Sequence, residues 1–430
     1  MRPRLSRWLA IPICLIAVIL ALAVLGRDTL MRTVEQYGNP VATPPPYQVD
    51  AIALAVHRRL LVADLHADTL LSARDPRQSA DYGQLDFPRL RASRVGLQVF
   101  SIVTNMPLCR EFVGCHRYPN LVAAVAATQG WSFETWMSDK ARALHQAAKL
   151  RAIAADPAAG VVLLRERSDL IQLLSKPSGV REIGAVLSVE GAQAIGNDVA
   201  GVDELADAGV RILGLAHYFD NSVSGSAHGV TRGGLSAFGK LVVQRALERG
   251  MIIDLAHAAP QAIADFLDAW PGAPFVVSHT GLRSVCNSAR NLDDAQVHRI
   301  VAAGGIVGIG GWNQALCPPS NASAGDYVKK IIETIIHAVA MADLEHPGHG
   351  HEFVALGSDF DGWVPVGFDA SGWPLITEGL LRAGSRLGQA EIERIIGGNV
   401  CRLLFRSLPD NGALPQAELC NARRSGAERS

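Results

Sequence analysis

The run Leu61-Val62-Ala63-Asp64-Leu65-His66-Ala67-Asp68 ends an apolar stretch abruptly in His-x-Asp. Residues two apart on a strand point the same way, so His66 and Asp68 would project together from one strand end. An imidazole and a carboxylate converging there begin a metal site. The same register recurs along the chain. Glu190 ends Leu187-Ser188-Val189, His217 ends Ile212-Leu213-Gly214-Leu215-Ala216, and His257 ends Ile252-Ile253-Asp254-Leu255-Ala256. His279 ends Val276-Val277-Ser278, and Asp359 and Asp361 follow Ala355-Leu356-Gly357-Ser358. Histidines and carboxylates gathered in one topological place point to metal-assisted hydrolysis rather than to packing. Other polar residues read as structural or solvated. Asp254 alternates with Ile253 and Leu255 and reads as structural or as a support behind the metal ligands. His228 sits in a Gly/Ser-rich stretch and reads as solvated, and His346, His349 and His351 read as loop residues. Asp361 is either the proton carrier in place of Asp359 or a turn residue before Gly362.

The elements that would position these groups alternate. Short Val/Ile/Leu-rich runs predict strands at 61–65, 95–103, 185–189, 210–216, 251–256, 275–278, 305–310 and 353–357. Helical stretches separate them at 118–155 (broken near Gly130), 202–208, 239–249, 261–270, 293–303, 327–342 and 390–405. Near-continuous apolar strands between helices indicate a parallel sheet. Eight of them predict an α/β fold, a (β/α)8 TIM-like barrel, whose active site would lie at the C-terminal mouth. A doubly wound open sheet is the alternative, but no Gly-x-Gly-x-x-Gly follows a strand.

The chain has 430 residues, 49% of them hydrophobic and 19% charged, and a formal net charge of −1. That composition is globular, and the missing basic footprint argues against a nucleic-acid partner. The N-terminus differs. Arg2, Arg4 and Arg7 precede residues 8–26, a stretch without charge. As a helix it would reach roughly 28 Å, enough to span a bilayer core. Residues 1–26 therefore read as a cytoplasmic stub and transmembrane helix preceding the barrel. The arginines would keep their side in the cytoplasm, placing the bulk on the periplasmic or extracellular face. A cleaved signal would leave a secreted protein instead. Residues 27–50, with Pro40, Pro44, Pro45 and Pro46, read as an extended Pro-rich linker. Residues 51–405 read as the catalytic barrel and 406–430 as a frayed polar tail. Seven cysteines include no Cys-x-x-Cys. On the exported side disulfides are permitted. Cys109 and Cys115 could close a small loop and Cys286 and Cys317 a larger one, with Cys401 and Cys420 left as free thiols.

The chain resembles the membrane dipeptidase (renal dipeptidase) family of zinc peptidases, within the amidohydrolase-like barrels. The matching pieces are Asp64-Leu65-His66-Ala67-Asp68, Ser188-Val189-Glu190-Gly191, Gly214-Leu215-Ala216-His217 and the run 250–257. Ser278-His279-Thr280, Ala289-Arg290-Asn291 and Gly357-Ser358-Asp359-Phe360-Asp361-Gly362 follow in the family's order, so that about residues 50–405 are covered. The resemblance implies two zinc ions: one on His66 and Asp68, one on His257 and His279, with Glu190 bridging both. It implies attack by a metal-bridging hydroxide on the peptide bond of a dipeptide. His217 would bind the substrate carbonyl and stabilise the oxyanion, and Asp359 would carry the proton to the leaving amine. Arg290, otherwise a surface residue, would grip the substrate's free C-terminal carboxylate. The Cys286 and Cys317 positions match a family disulfide, whereas Cys109 lacks its family partner after His217 and is left with Cys115. The tail lacks the lipid-anchor signal of vertebrate members, and Gly311-Trp312-Asn313-Gln314 lacks the family's tyrosine near Cys317. The partners expected are dipeptides, the membrane and a second copy in a homodimer. The rival readings are a related barrel hydrolase for another amide or a lactone, and a non-catalytic maturation or binding protein on the same scaffold.

Overall fold

Strands that are apolar on both faces must be covered on both, and a ring of parallel strands wrapped by helices does this. The computed structural model describes residues 26–109, 113–176, 182–384, 387–410, 412 and 417–420. Its strands are β1 (Val62–Ala67), β2 (Val95–Val103), β3 (Val161–Leu163), β4 (Ile183–Glu190), β5 (Val210–Gly214), β6 (Ile252–Asp254), β7 (Phe275–Thr280), β8 (Ile306–Ile309) and β9 (Val354–Leu356). All pairings are parallel, in the order β1-β2-β4-β5-β6-β7-β8-β9. Sequence periodicity missed β3, a three-residue strand that pairs only with β4 and stands outside the ring. The ring closes just past β9, where Ala67 and Phe360 form a parallel bridge. There Asp68 N donates to Phe360 O (2.8 Å) and Asp359 N to His66 O (3.1 Å).

One buried cluster draws Leu65, Val99, Val186, Ile212, Ile252, Val276, Ile306 and Ala355 from every strand of the ring, so it fills the lumen. Val400, Leu404 and Phe405 extend the same cluster and plug its N-terminal end. The seam needs small residues. A Cβ on Gly308 or Gly357 would lie 2.0 Å from Ser278 O, so only glycine lets β8 and β9 approach β7 below His279.

Two terminal expectations are corrected. Residues 26–38 are helical, not an extended spacer, and Met31 and Glu35 are buried. Between residues 26 and 39 there is no proline, so nothing there breaks a helix. Beyond it the chain does run extended, with Ala42 N and Thr43 N donating to Val366 O and Gly367 O. The described parts of the tail are tied down as well. Cys401 and Cys420 form a disulfide instead of free thiols, and Arg167 pairs with Asp410 at 2.7 Å. The apolar segment 8–26 lies, Gly26 excepted, outside the described residues. Among the described residues no helix is long and apolar enough to cross a membrane.

His57 ends the helix Ala51–His57 and is buried. Its Nε2 donates to Ser93 O (2.8 Å) and its Nδ1 faces Thr377 Oγ1 (2.7 Å), an arrangement for the neutral ring. Burial lowers its pKa to about 4. An unfolded histidine titrates near 6.5, so below that pH the unfolded chain takes a proton the native ring refuses. Stability should fall by about 2–3 kcal/mol between neutral pH and about pH 4.5 through this ring alone. His57→Gln keeps a donor and an acceptor and should lose correspondingly less in paired urea titrations. Equal losses in both proteins would disprove the assignment.

Candidate metal centre

The strand ends deliver what their spacing promised. His66 and Asp68 leave β1, Glu190 ends β4, and His279 lies in β7. His217 and His257 follow β5 and β6 by three residues each, and Asp359 follows β9 by three. All are buried. Glu190 is the hub. Its Oε1 lies 2.9 Å from His257 Nε2, 3.4 Å from His279 Nε2 and 3.6 Å from His66 Nε2, and its Oε2 lies 3.3 Å from His217 Nε2. His66 Nε2 is 3.3 Å from Asp68 Oδ1 and 3.9 Å from Asp359 Oδ1. Among the described residues three groups within ligand reach result: Glu190 with His257 and His279, His66 with Asp68 and Asp359, and His66 with Asp254 and His279.

Local structure aims these donors. Asp64, fully buried, accepts from Ser358 N (2.8 Å), Ser358 Oγ (2.7 Å) and Gln98 Nε2 (2.9 Å), locking β1 to the turn after β9. Asp254 Oδ1 accepts from Ala256 N and Ser278 N, both at 2.9 Å, and ties the end of β6 to β7. That is the structural task its strand position implied. His279 Nδ1 meets Ser278 Oγ (2.8 Å), which turns Nε2 to the centre. His217 Nδ1 donates to Asn105 O (3.1 Å) and likewise faces Nε2 inward. Asp361 turns away: its carboxylate accepts from Arg74 Nη2 (2.6 Å), Thr69 Oγ1 (2.8 Å) and Gln84 N (2.7 Å). Asp359 faces the cluster.

The donor set fits divalent metal ions that favour imidazole and carboxylate. His257 Nε2 and His279 Nε2 point at each other across 3.1 Å, a poor arrangement for two rings with nothing between them. His66 Nε2 and Asp68 Oδ1 are buried without a hydrogen-bond partner among the described residues. Burial holds His217, His257 and His279 well below the usual histidine range, so their lone pairs are free to bind a cation. Burial pushes the Glu190 carboxyl well up, and raises Asp359 to about 8 with help from Asp68. Burial by itself would lower His66, yet the charges of Glu190, Asp68 and Asp359 raise it to about 10. An excess of buried negative charge that draws in a proton would equally draw in a cation.

A cavity of about 120 Å³ opens beside the cluster, lined by Tyr218, His228, Arg290, Trp312 and Gln314 among others. Arg290 is not a surface residue. It is buried, donates from Nη2 to His279 O (2.7 Å), and lies with its guanidinium 5.4 Å from the Trp312 ring. Its Nε has no partner among the described residues. A smaller cavity on the other side is walled by Leu71, Val103, Met106 and Trp363. Cys286 bonds Cys317 below the Arg290 loop, and Cys109 bonds Cys115 near the rim.

His228 escaped the sequence reading. It is buried, not solvated, and its Nε2 lies 3.1 Å from His257 Nδ1. A partner there fixes which nitrogen of His257 faces inward. Its loop is folded inward by Asp220, which accepts from Ser226 N (2.8 Å) and Thr231 N (2.7 Å), while Ala227 N donates to His257 O (2.7 Å). The signal was an aspartate three residues past His217 opening a Gly/Ser loop. His346, His349 and His351 lie in none of the clusters within ligand reach among the described residues.

Fold and donor set together place the chain among parallel barrels with a metal centre at the C-terminal mouth. A model of the membrane dipeptidase family (Peptidase family M19) matches residues 51–408, and the chain belongs to that family. It is 30% identical over 231 residues to an uncharacterized dipeptidase of Schizosaccharomyces pombe, covering 52% of each chain. It is 28% identical over 253 residues to Dipeptidase 3 of Rattus norvegicus, covering 55% of this chain and 48% of that one. The chain spans about half the length of these curated relatives. Among solved structures, a metallo peptidase of Rhodobacter sphaeroides, liganded with a phosphinate mimic of L-Ala-D-Ala, shares the fold. The TM-score is 0.61 at 21% identity, over 81% of this chain and 99% of that one.

Proposed function

We propose that the protein is a zinc-dependent dipeptidase with two ions per chain. The observation that carries the reading is Glu190, one carboxylate within 2.9–3.6 Å of four inward-facing imidazole nitrogens. His66 and Asp68 would hold one ion, His257 and His279 the other, and Glu190 both. When bound, the ions would acidify a water and polarise the scissile carbonyl. The remaining work falls to side chains. Arg290 binds the substrate's C-terminal carboxylate, with Nε free to donate and the Trp312 ring bracing the guanidinium. Asp359, raised to about 8, can take a proton and return it to the leaving amine near neutral pH. His217 gives its Nδ1 proton to Asn105 O, so it donates from Nε2 only as the imidazolium. Negative charge growing on the carbonyl oxygen would favour that form. The cavity of about 120 Å³ suits small side chains.

The N-terminal arginines and apolar stretch support a membrane anchor, with residues 51–405 as the catalytic domain on the periplasmic or extracellular side. Disulfides in that domain accord with an oxidising location. A homodimer is part of the proposal.

Zinc-loaded full-length protein should hydrolyse dipeptides, stop with a chelator and recover with zinc, with about two zinc per chain by elemental analysis. The panel should contain L,L and L,D dipeptides, because the Rhodobacter sphaeroides neighbour binds an L-Ala-D-Ala mimic. Metal-replete protein inert on the whole panel would overturn the reading.

A further inference from the structure

We infer that the helix over residues 26–38, which precedes the family match at residue 51, is a working part of the active site: Glu35 and Asn39 are positioning residues for the loop Asp359–Trp363. The inference rests on Asp359 acting as proton carrier.

The loop cannot hold its own shape. Asp359, Asp361 and Trp363 all have left-handed backbone, with φ of 64°, 61° and 58°. Residues other than glycine adopt that region only when their surroundings enforce it. Two routes lead from the helix to this loop. The first is a chain of buried charges. Glu35 Oε2 accepts from Arg74 Nε (3.0 Å), and Arg74 Nη2 donates to Asp361 Oδ2 (2.6 Å). Glu35 also accepts from Ala73 N (2.7 Å) and Ser72 Oγ (2.5 Å), so it fixes the segment that carries Arg74. Lys149 Nζ donates to Ser72 O (2.6 Å) and Leu70 O (3.2 Å) just behind. Two acids and two bases thus balance in a buried network, and losing Glu35 leaves Arg74 half-paired there. The second route carries no charge. Asn39 Oδ1 accepts from Trp363 N (2.8 Å), and Gly38 lies so close that a Cβ would meet the Trp363 ring at 3.2 Å. Met31 packs in one cluster with Leu71 and Val103, against Trp363, all three of which wall the small cavity beside Asp68 and Asp359.

The test uses zinc-loaded full-length protein with E35A and N39A made separately. Each should lower kcat by about tenfold to a hundredfold through misplacement of Asp359, with KM within about twofold. Zinc per chain should not change, because neither residue approaches a metal donor. The amides of residues 358–363 should exchange with deuterium about tenfold faster than in wild type, while those of β5 stay unchanged. A variant that keeps wild-type kcat, or wild-type exchange at 358–363, overturns the inference for its residue. Should E35A fail to fold, N39A decides, since it removes one acceptor and no charge. Should the wild type be inert on every dipeptide, the proposed activity fails and the exchange rates alone decide this inference.

Discussion

Glu190→Gln should strip the protein of most of its zinc and lower kcat/KM by at least about a thousandfold, roughly 4 kcal/mol of barrier. Glutamine keeps the shape and one oxygen but removes the charge that two cations would share. Asp68 and Asp359 stand beside His66, and Asp254, within reach of His66 and His279, spends its Oδ1 on the amides of Ala256 and Ser278, whereas Glu190 Oε1 meets His66, His257 and His279 directly. Loss of activity must be separated from loss of fold, and thermal unfolding does so. Zinc binds only the native site, so wild type should lose several degrees on chelation. The metal-free variant should be at least as stable as metal-free wild type, because one buried acid of a crowded cluster has been neutralised. Chelation should therefore leave the melting point of Glu190→Gln almost unchanged. A variant that retains two zinc per chain and near-normal turnover would remove Glu190 from the centre of the site.

Arg290→Ala should reduce kcat/KM on dipeptides by about a hundredfold to a thousandfold, chiefly through KM, the size expected for a buried charge pair. The same change should matter little for a dipeptide amide, which offers no carboxylate. Arg290→Lys should recover only a minor share. Lysine is a point charge that can neither span both carboxylate oxygens nor lie flat against Trp312. Steady-state kinetics on matched acid and amide substrates give the answer. Equal losses on both would show that Arg290 supports His279, whose carbonyl it holds, and would favour the other amide or lactone reading.

The barrel was legible because its strands are buried on both sides and read as short apolar runs, and the polar residue at each end stood out against that background. His66, Asp68, Glu190, His257 and His279 are brought together as their strand register implied, and Arg290 and His217 join them. What stayed illegible lacks periodicity. His228 reaches His257 through a loop folded by Asp220 capturing backbone amides, a contact with no spacing rule. Trp312 backs Arg290, a contact between a loop residue and a ring that no spacing announces. The helix over 26–38 looked like linker because prolines follow it, and a lone Glu35 carries no sign that it will meet Arg74. Asp359 and Asp361 were indistinguishable by position; only their partners separate them. Cys401 and Cys420 paired because the tail returns to the lumen plug, which composition does not foretell.

The barrel is closed by the same few residues that make its centre. Asp64 bonds Ser358, 294 positions further along the chain, and His66 meets Asp359 across that seam. Contacts between ends so distant are the last a growing chain can make and the slowest to form. In a nascent polypeptide the seam beside His66 and Asp68 therefore cannot close until residue 359 has been made. The cluster cannot be completed in any fragment that lacks β9 and the turn after it, because Asp359 and the seam to β1 come from there.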